Sequence, residues 1–191
     1  MQKYADTGLN LDFYPRLYTE SDSQLIYDTL EKEVAWLKPI TSGRRSNQIY
    51  GDDGLVYEVK FGSYGGKPGA TTRRKAQPWT PLLAQIRDDI SALTGAKYTI
   101  CVVQRYPNGS VGINPHRDKE MVAGTTIAGL SFGSTRTLVM ARGEKALRLE
   151  LGPGSMYVLN PPTNDYWSHA IEKSAETQPR ISLTFRNYVN A

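Results

Sequence analysis

Two histidines occur in the 191-residue chain, His116 and His169, so any imidazole chemistry must draw on one or both. Asp118 stands two residues after the first, in Asn114-Pro115-His116-Arg117-Asp118. Residues i and i+2 of an extended strand point to the same side, so this imidazole and carboxylate can converge on one point. His169 follows 53 positions later, on a different predicted strand. Two imidazoles and one carboxylate on one face of a metal leave the opposite positions open, an arrangement suited to iron-based oxygen chemistry. Zinc accepts the same donors, so the residue types leave the metal open. A histidine on a strand also has a plainer reading, as a hydrogen-bonded structural residue. A second group follows in Arg180-Ile181-Ser182-Leu183-Thr184-Phe185-Arg186, where Arg180, Ser182, Thr184 and Arg186 share one face of a strict alternation. Two arginines facing the inside of a barrel would be costly without anionic partners. A dicarboxylate would give each a charge-assisted pair, whereas on a half-exposed strand the same face would see water.

These residues need a scaffold that brings distant strands together. From residue 96 onward the sequence breaks into short β-rich runs at 98–104, 125–132, 135–141, 147–151, 155–159, 166–171 and 180–188, separated by turn residues such as Pro107-Asn108-Gly109. Strands at this spacing predict a sandwich or barrel. Two helices precede them and would pack on one sheet from outside. In the first, Ile26, Leu30, Val34 and Leu37 form the apolar stripe, Thr19 or Ser21 caps it, and Pro39 ends it. In the second, Thr80 is the N-cap, Pro81 the first helical residue, Leu82, Ile86, Ile90 and Leu93 the stripe, and Gly95 the stop. Residues 1–15 alternate polar and apolar side chains and resemble no targeting peptide.

Composition narrows the setting. The single cysteine, Cys101, rules out an intramolecular disulfide and a cysteine-rich zinc scaffold. No stretch approaches the roughly 20 apolar residues of a membrane span. An intracellular protein is expected, with nucleus and cytoplasm both open, and a monomer. The net charge of +4 equals the excess of seven basic over three acidic residues between positions 41 and 75 alone. Tyr50, Tyr57, Phe61 and Tyr64 are interleaved there, and basic side chains with aromatic faces suit a nucleic-acid surface.

Taken in order, His116-x-Asp118, His169 and Arg180-x5-Arg186 resemble the Fe(II)/2-oxoglutarate dioxygenases, specifically the AlkB family of nucleic-acid dealkylases. The likeness extends through Arg45, Tyr50-Gly51-Asp52, Gly54-Leu55-x-Tyr57, Pro78-Trp79-x-Pro81, Gln104-Arg105-Tyr106, Ser131-Phe132-Gly133 and Asn160-Pro161-Pro162-Thr163-Asn164, about three quarters of the chain. It is nearest to the eukaryotic-type branch that repairs methylated DNA. The resemblance implies an α+β, mainly β fold: a double-stranded β-helix, or jelly roll, with N-terminal helices on one sheet. It implies a single domain over residues 1–191, with 41–75 as nucleotide-recognition segment and 96–190 as β-helix core.

By the same resemblance His116, Asp118 and His169 bind Fe(II), and Arg180, helped by Tyr106, pairs with the distal carboxylate of 2-oxoglutarate. Arg186 lies near the carboxylate that is lost. Gln104 and Ser182 are cosubstrate contacts at positions where relatives use asparagine. Tyr57 is expected as an aromatic base contact, Glu120 as a reader of the base edge and Arg45 as a nucleotide contact, each of which also has a reading as an ordinary sheet or surface residue. The implied reaction is oxidative demethylation of bases such as 1-methyladenine and 3-methylcytosine in DNA or RNA, consuming O2 and releasing formaldehyde, succinate and carbon dioxide. Duplex-acting relatives carry a longer hairpin with an apolar wedge before the Arg45 block. Residues 36–43 are short here, with Ile40 as the one apolar plug after Pro39, so single-stranded substrates are expected. The alternatives are a hydroxylase of a protein or small molecule on the same scaffold, and a binding module without catalysis.

Overall fold

The computed structural model describes residues 1–37, 43–60, 71–119 and 121–188. Its elements are β1 (Gln2–Asp6), β2 (Leu9–Tyr14), α1 (Glu20–Glu33), β3 (Ser46–Gly51), β4 (Val56–Lys60), β5 (Thr71–Lys75), β6 (Gln77–Pro78), α2 (Pro81–Thr94), β7 (Ile100–Tyr106), β8 (Ile113–His116), β9 (Ile127–Gly133), β10 (Arg136–Arg142), β11 (Lys145–Leu151), β12 (Ser155–Leu159), α3 (Thr163–Tyr166), β13 (Ser168–Ile171) and β14 (Arg180–Arg186). A major sheet runs in the order β1-β2-β12-β9-β14-β7-β3-β6, and a minor one in the order β11-β10-β13-β8. Strands β4 and β5 form a separate hairpin. The two sheets enclose one core, in which Leu11, Phe13, Tyr106, Ile127, Tyr157 and Leu159 of the major sheet meet Leu138, Met140, Leu149, Leu151 and Ile171 of the minor one. This is the expected jelly roll.

A second core covers the outer face of the major sheet. Ile181, Leu183 and Phe185 of β14 pack there with Val103, Leu130 and Val158, beneath Ile26 and Leu30 of α1 and Leu83, Ile86 and Ile90 of α2. The alternation in β14 is thus resolved: its apolar face meets the helices, and its Arg180 face looks into the space between the sheets. Helix α2 has the predicted ends, with the Thr80 side chain accepting from the Leu83 amide and Gly95 in the left-handed region at φ 69°. Helix α1 departs from the prediction. It stops at Glu33 because Val34 turns extended, and Leu37 instead pairs its backbone with Asn47 beside β3.

Three further differences matter. Residues 1–15 form the β1–β2 hairpin, whose Leu9, Leu11 and Phe13 are buried, and β2 pairs with β12. The stretch predicted as a strand from residue 166 starts on the last residue of the short helix α3, and the strand itself starts at Ser168. The final strand ends at Arg186, two residues early.

Candidate metal and cosubstrate site

Strands β8 and β13 pair antiparallel with His116 directly opposite His169, which places two residues 53 positions apart side by side. Their ring centroids are 4.3 Å apart. The Asp118 Oδ1 atom lies 3.6 Å from His116 Nε2 and 4.0 Å from His169 Nε2. One donor atom from each of the three residues falls within 4.8 Å of the others. The His116 Nδ1–H donates to the Asn114 carbonyl at 2.9 Å, a bond that fixes the ring with Nε2 on the Asp118 side. Burial pushes the His169 pKa down to about 4, the Asp118 charge opposing this, so its ring is neutral at physiological pH. Asp118 Oδ2 is buried and has no hydrogen-bond partner among the described residues. Two imidazoles and a half-satisfied buried carboxylate fit a divalent cation by donor type.

Asp118 is held at two levels. Arg186 Nη2 donates to its Oδ1 at 2.8 Å, so the nearest anionic partner of this arginine is a ligand-bearing carboxylate. The Asn164 amide grips the Asp118 backbone, accepting from its N–H at 3.0 Å and donating to its carbonyl at 2.8 Å. Asn164 belongs to α3, just ahead of the strand that carries His169, so one side chain ties the two ligand segments together.

Beside the triad, register assembles a second group. Arg180 lies opposite Tyr106 and Ser182 opposite Gln104 on the β14–β7 ladder, and Ser131 of β9 faces Ser182 from the other side. Arg180 Nε donates to Ser131 Oγ at 2.8 Å, and its guanidinium sits 5.0 Å from the centre of the Tyr106 ring. Tyr106 donates to Gln104 Oε1 at 3.3 Å. The remaining Arg180 Nη1 is buried without a hydrogen-bond partner among the described residues, which fits a carboxylate acceptor from a ligand.

The substrate-side expectations divide. Arg45 is brought to this group, its guanidinium 5.7 Å from the Tyr106 ring centre. Tyr57 is buried with Ile49, Leu55, Ile100 and Val102, leaving little of its ring open to a base. Glu120 lies outside the described residues, as do residues 61–70 of the basic segment and residues 38–42, including Ile40. Trp167 is core, its Nε1–H donating to the Thr7 carbonyl.

Sequence reasoning missed Arg136. It is buried between the sheets at 1% exposure and donates to the carbonyls of Asn108, Gly109, Val111 and Glu172. Those carbonyls precede β8 and follow β13, so one guanidinium fixes the outer ends of both histidine strands. The signal was present, because spacing by two puts Arg136 on the face of Leu138 and Met140.

A family model described as the 2OG-Fe(II) oxygenase superfamily matches residues 10–186. The protein named DNA oxidative demethylase ALKBH2 of Bos taurus is 33% identical over 202 residues, covering 94% of this chain and 69% of its own length. The chain is an AlkB-family 2OG-Fe(II) oxygenase. The alpha-ketoglutarate-dependent dioxygenase alkB homolog 3 of Homo sapiens is 26% identical over 200 residues, 95% of this chain and 68% of its own. Among solved structures, that of OsALKBH1 superposes with a TM-score of 0.67 at 14% identity, covering 97% of this chain and 99% of that one, which shows a shared fold. This oxygenase uses Fe(II), 2-oxoglutarate and O2. Zinc, which the donor types left open, is not the metal of this family.

Proposed function

We propose that this AlkB-family oxygenase removes methyl groups from N-alkylated bases of the 1-methyladenine and 3-methylcytosine type in DNA or RNA, acting as an intracellular monomer that prefers single strands. The observation that carries this reading is the convergence of His116, Asp118 and His169 beside the buried Arg180–Tyr106 pair, in a chain one third identical to named DNA demethylases. With Fe(II), 2-oxoglutarate and O2 bound, the site oxidises an N-methyl group to N-hydroxymethyl while 2-oxoglutarate becomes succinate and carbon dioxide. The hydroxymethyl product is a hemiaminal and collapses to formaldehyde and the unmodified base.

The protein's own work is binding, orientation and exclusion. His116, Asp118 and His169 hold the metal, with Arg186 and Asn164 fixing the Asp118 carboxylate and backbone. Arg180, Tyr106, Gln104 and Ser182 bind 2-oxoglutarate through charge-assisted and neutral hydrogen bonds. A duplex base cannot reach this interior, so the nucleotide enters flipped or from a single strand. Arg45 and Glu120 are the substrate-side residues, and Arg45 has the strongest support, since it already lies against Tyr106, whereas the buried ring of Tyr57 supports the packing of β3 and β7 instead.

The test is aerobic incubation with Fe(II), ascorbate, 2-oxoglutarate and methylated oligonucleotides, with formaldehyde and restored base as readouts. Both products are expected from the wild type, and either His116→Ala or His169→Ala abolishes them, because no third histidine exists to replace a lost ligand. Succinate without restored base would assign the oxygenase to another substrate. Size-exclusion chromatography with light scattering tests the monomer.

A further inference from the structure

Tyr157 is the third residue of β12, a strand buried on both faces, so alternation does not assign its ring to either core. Register does. Tyr157 lies opposite Gly129 on β9 and Phe13 on β2, and Gly129 lies opposite Thr184 on β14. Thr184 shares its face with Arg180, Ser182 and Arg186, so Tyr157 looks into the space that holds the cosubstrate group. A side chain at Gly129 would overlap Cζ, Cε1 and Oη of Tyr157. The phenol therefore leaves β12, crosses the bare backbone of β9 and points toward β14, neighbouring strands being about 4.8 Å apart. Its hydroxyl makes no hydrogen bond to the described residues.

Phenylalanine would fill the same space, so the hydroxyl, which makes no hydrogen bond to the described residues, is the part of Tyr157 left for a ligand. Burial and the nearby Asp118 charge raise its pKa, Arg180 and Arg186 opposing, so the group stays protonated and is a donor. The charges of Asp118, Arg180 and Arg186 all act on it.

We propose that Tyr157 is a further cosubstrate-binding residue, its hydroxyl donating to a carboxylate oxygen of 2-oxoglutarate, and that Gly129 is the gap that admits it. This rests on the reading of Arg180, Tyr106, Gln104 and Ser182 as the 2-oxoglutarate site. The test is calorimetric titration of 2-oxoglutarate into the Mn(II)-loaded full chain. Wild-type protein binds, and Tyr157→Phe, which keeps the ring, weakens binding on the order of 10-fold with the melting temperature held. In turnover the same variant raises the KM for 2-oxoglutarate while kcat is largely kept. Unchanged affinity in Tyr157→Phe overturns the proposal. Failure of the wild type to bind overturns instead the parent reading of the Arg180 group. Gly129→Ala weakens binding in the wild-type background and adds nothing in Tyr157→Leu, where the collision is gone. An equal loss in both backgrounds overturns the role given to Gly129.

Discussion

At the scale of the residue, Asp118 is gripped by two side chains that act on different parts of it. Arg186 holds the carboxylate, and Asn164 holds the backbone N–H and carbonyl. The carboxylate can therefore neither rotate freely nor shift with its loop, which is how outer partners tune a metal site. Asn164→Ala is expected to weaken Fe(II) or Mn(II) binding by about 10- to 100-fold, measured by titration of the metal-free protein. Asn164→Asp, which lacks the amide donor, should fall between the two. His116 and Asp118 were legible as a candidate pair because His-x-Asp is a local pattern on an extended chain, whereas His169, 53 positions on, joined them through the family resemblance. Asn164 and Arg136 were not read as parts of the site, because their partners are 46 and up to 36 residues away and only packing brings them close.

At the scale of the element, local signals were decisive where the interaction is local. Helix α2 was read with both ends because Thr80, Pro81 and Gly95 act within one turn of their own positions. Thr80→Ala should cost about 1 kcal/mol of stability in urea unfolding. The β1–β2 hairpin shows the reverse case. Its alternation was visible, yet its place was set by pairing with β12, nearly 150 residues on, and by the Asn10–Thr163 exchange of hydrogen bonds. Leu11 is fully buried in the inter-sheet core, so Leu11→Ala should cost roughly 2–5 kcal/mol, several times the cap. A loss no larger than that of Thr80→Ala would mean that the hairpin is only loosely docked.

At the scale of the whole molecule, the two sheets converge on one interior that is both core and reaction site, so ligand binding and folding are linked. With Mn(II) and 2-oxoglutarate present at about 100 times their dissociation constant, stability should rise by about 2.7 kcal/mol for each independent site, read as an increase in melting temperature. In His169→Ala the metal-dependent part of that increase should vanish. The short stretch at residues 36–43 leads to a further expectation: a methylated single strand is repaired faster than the same strand annealed, and equal or faster repair of the duplex would refute it. By itself the sequence determined the donor types, the alternating faces of β14, the caps of α2 and the basic character of residues 41–75, because each depends on residue identity or on neighbours a few positions away. Only the tertiary structure decided that His116 faces His169, that Arg180 faces Tyr106, and that Tyr157 crosses Gly129 toward β14. Those pairings are chosen by strand register over separations of tens of residues, where the burial of both sheet faces, not local preference, selects the partner.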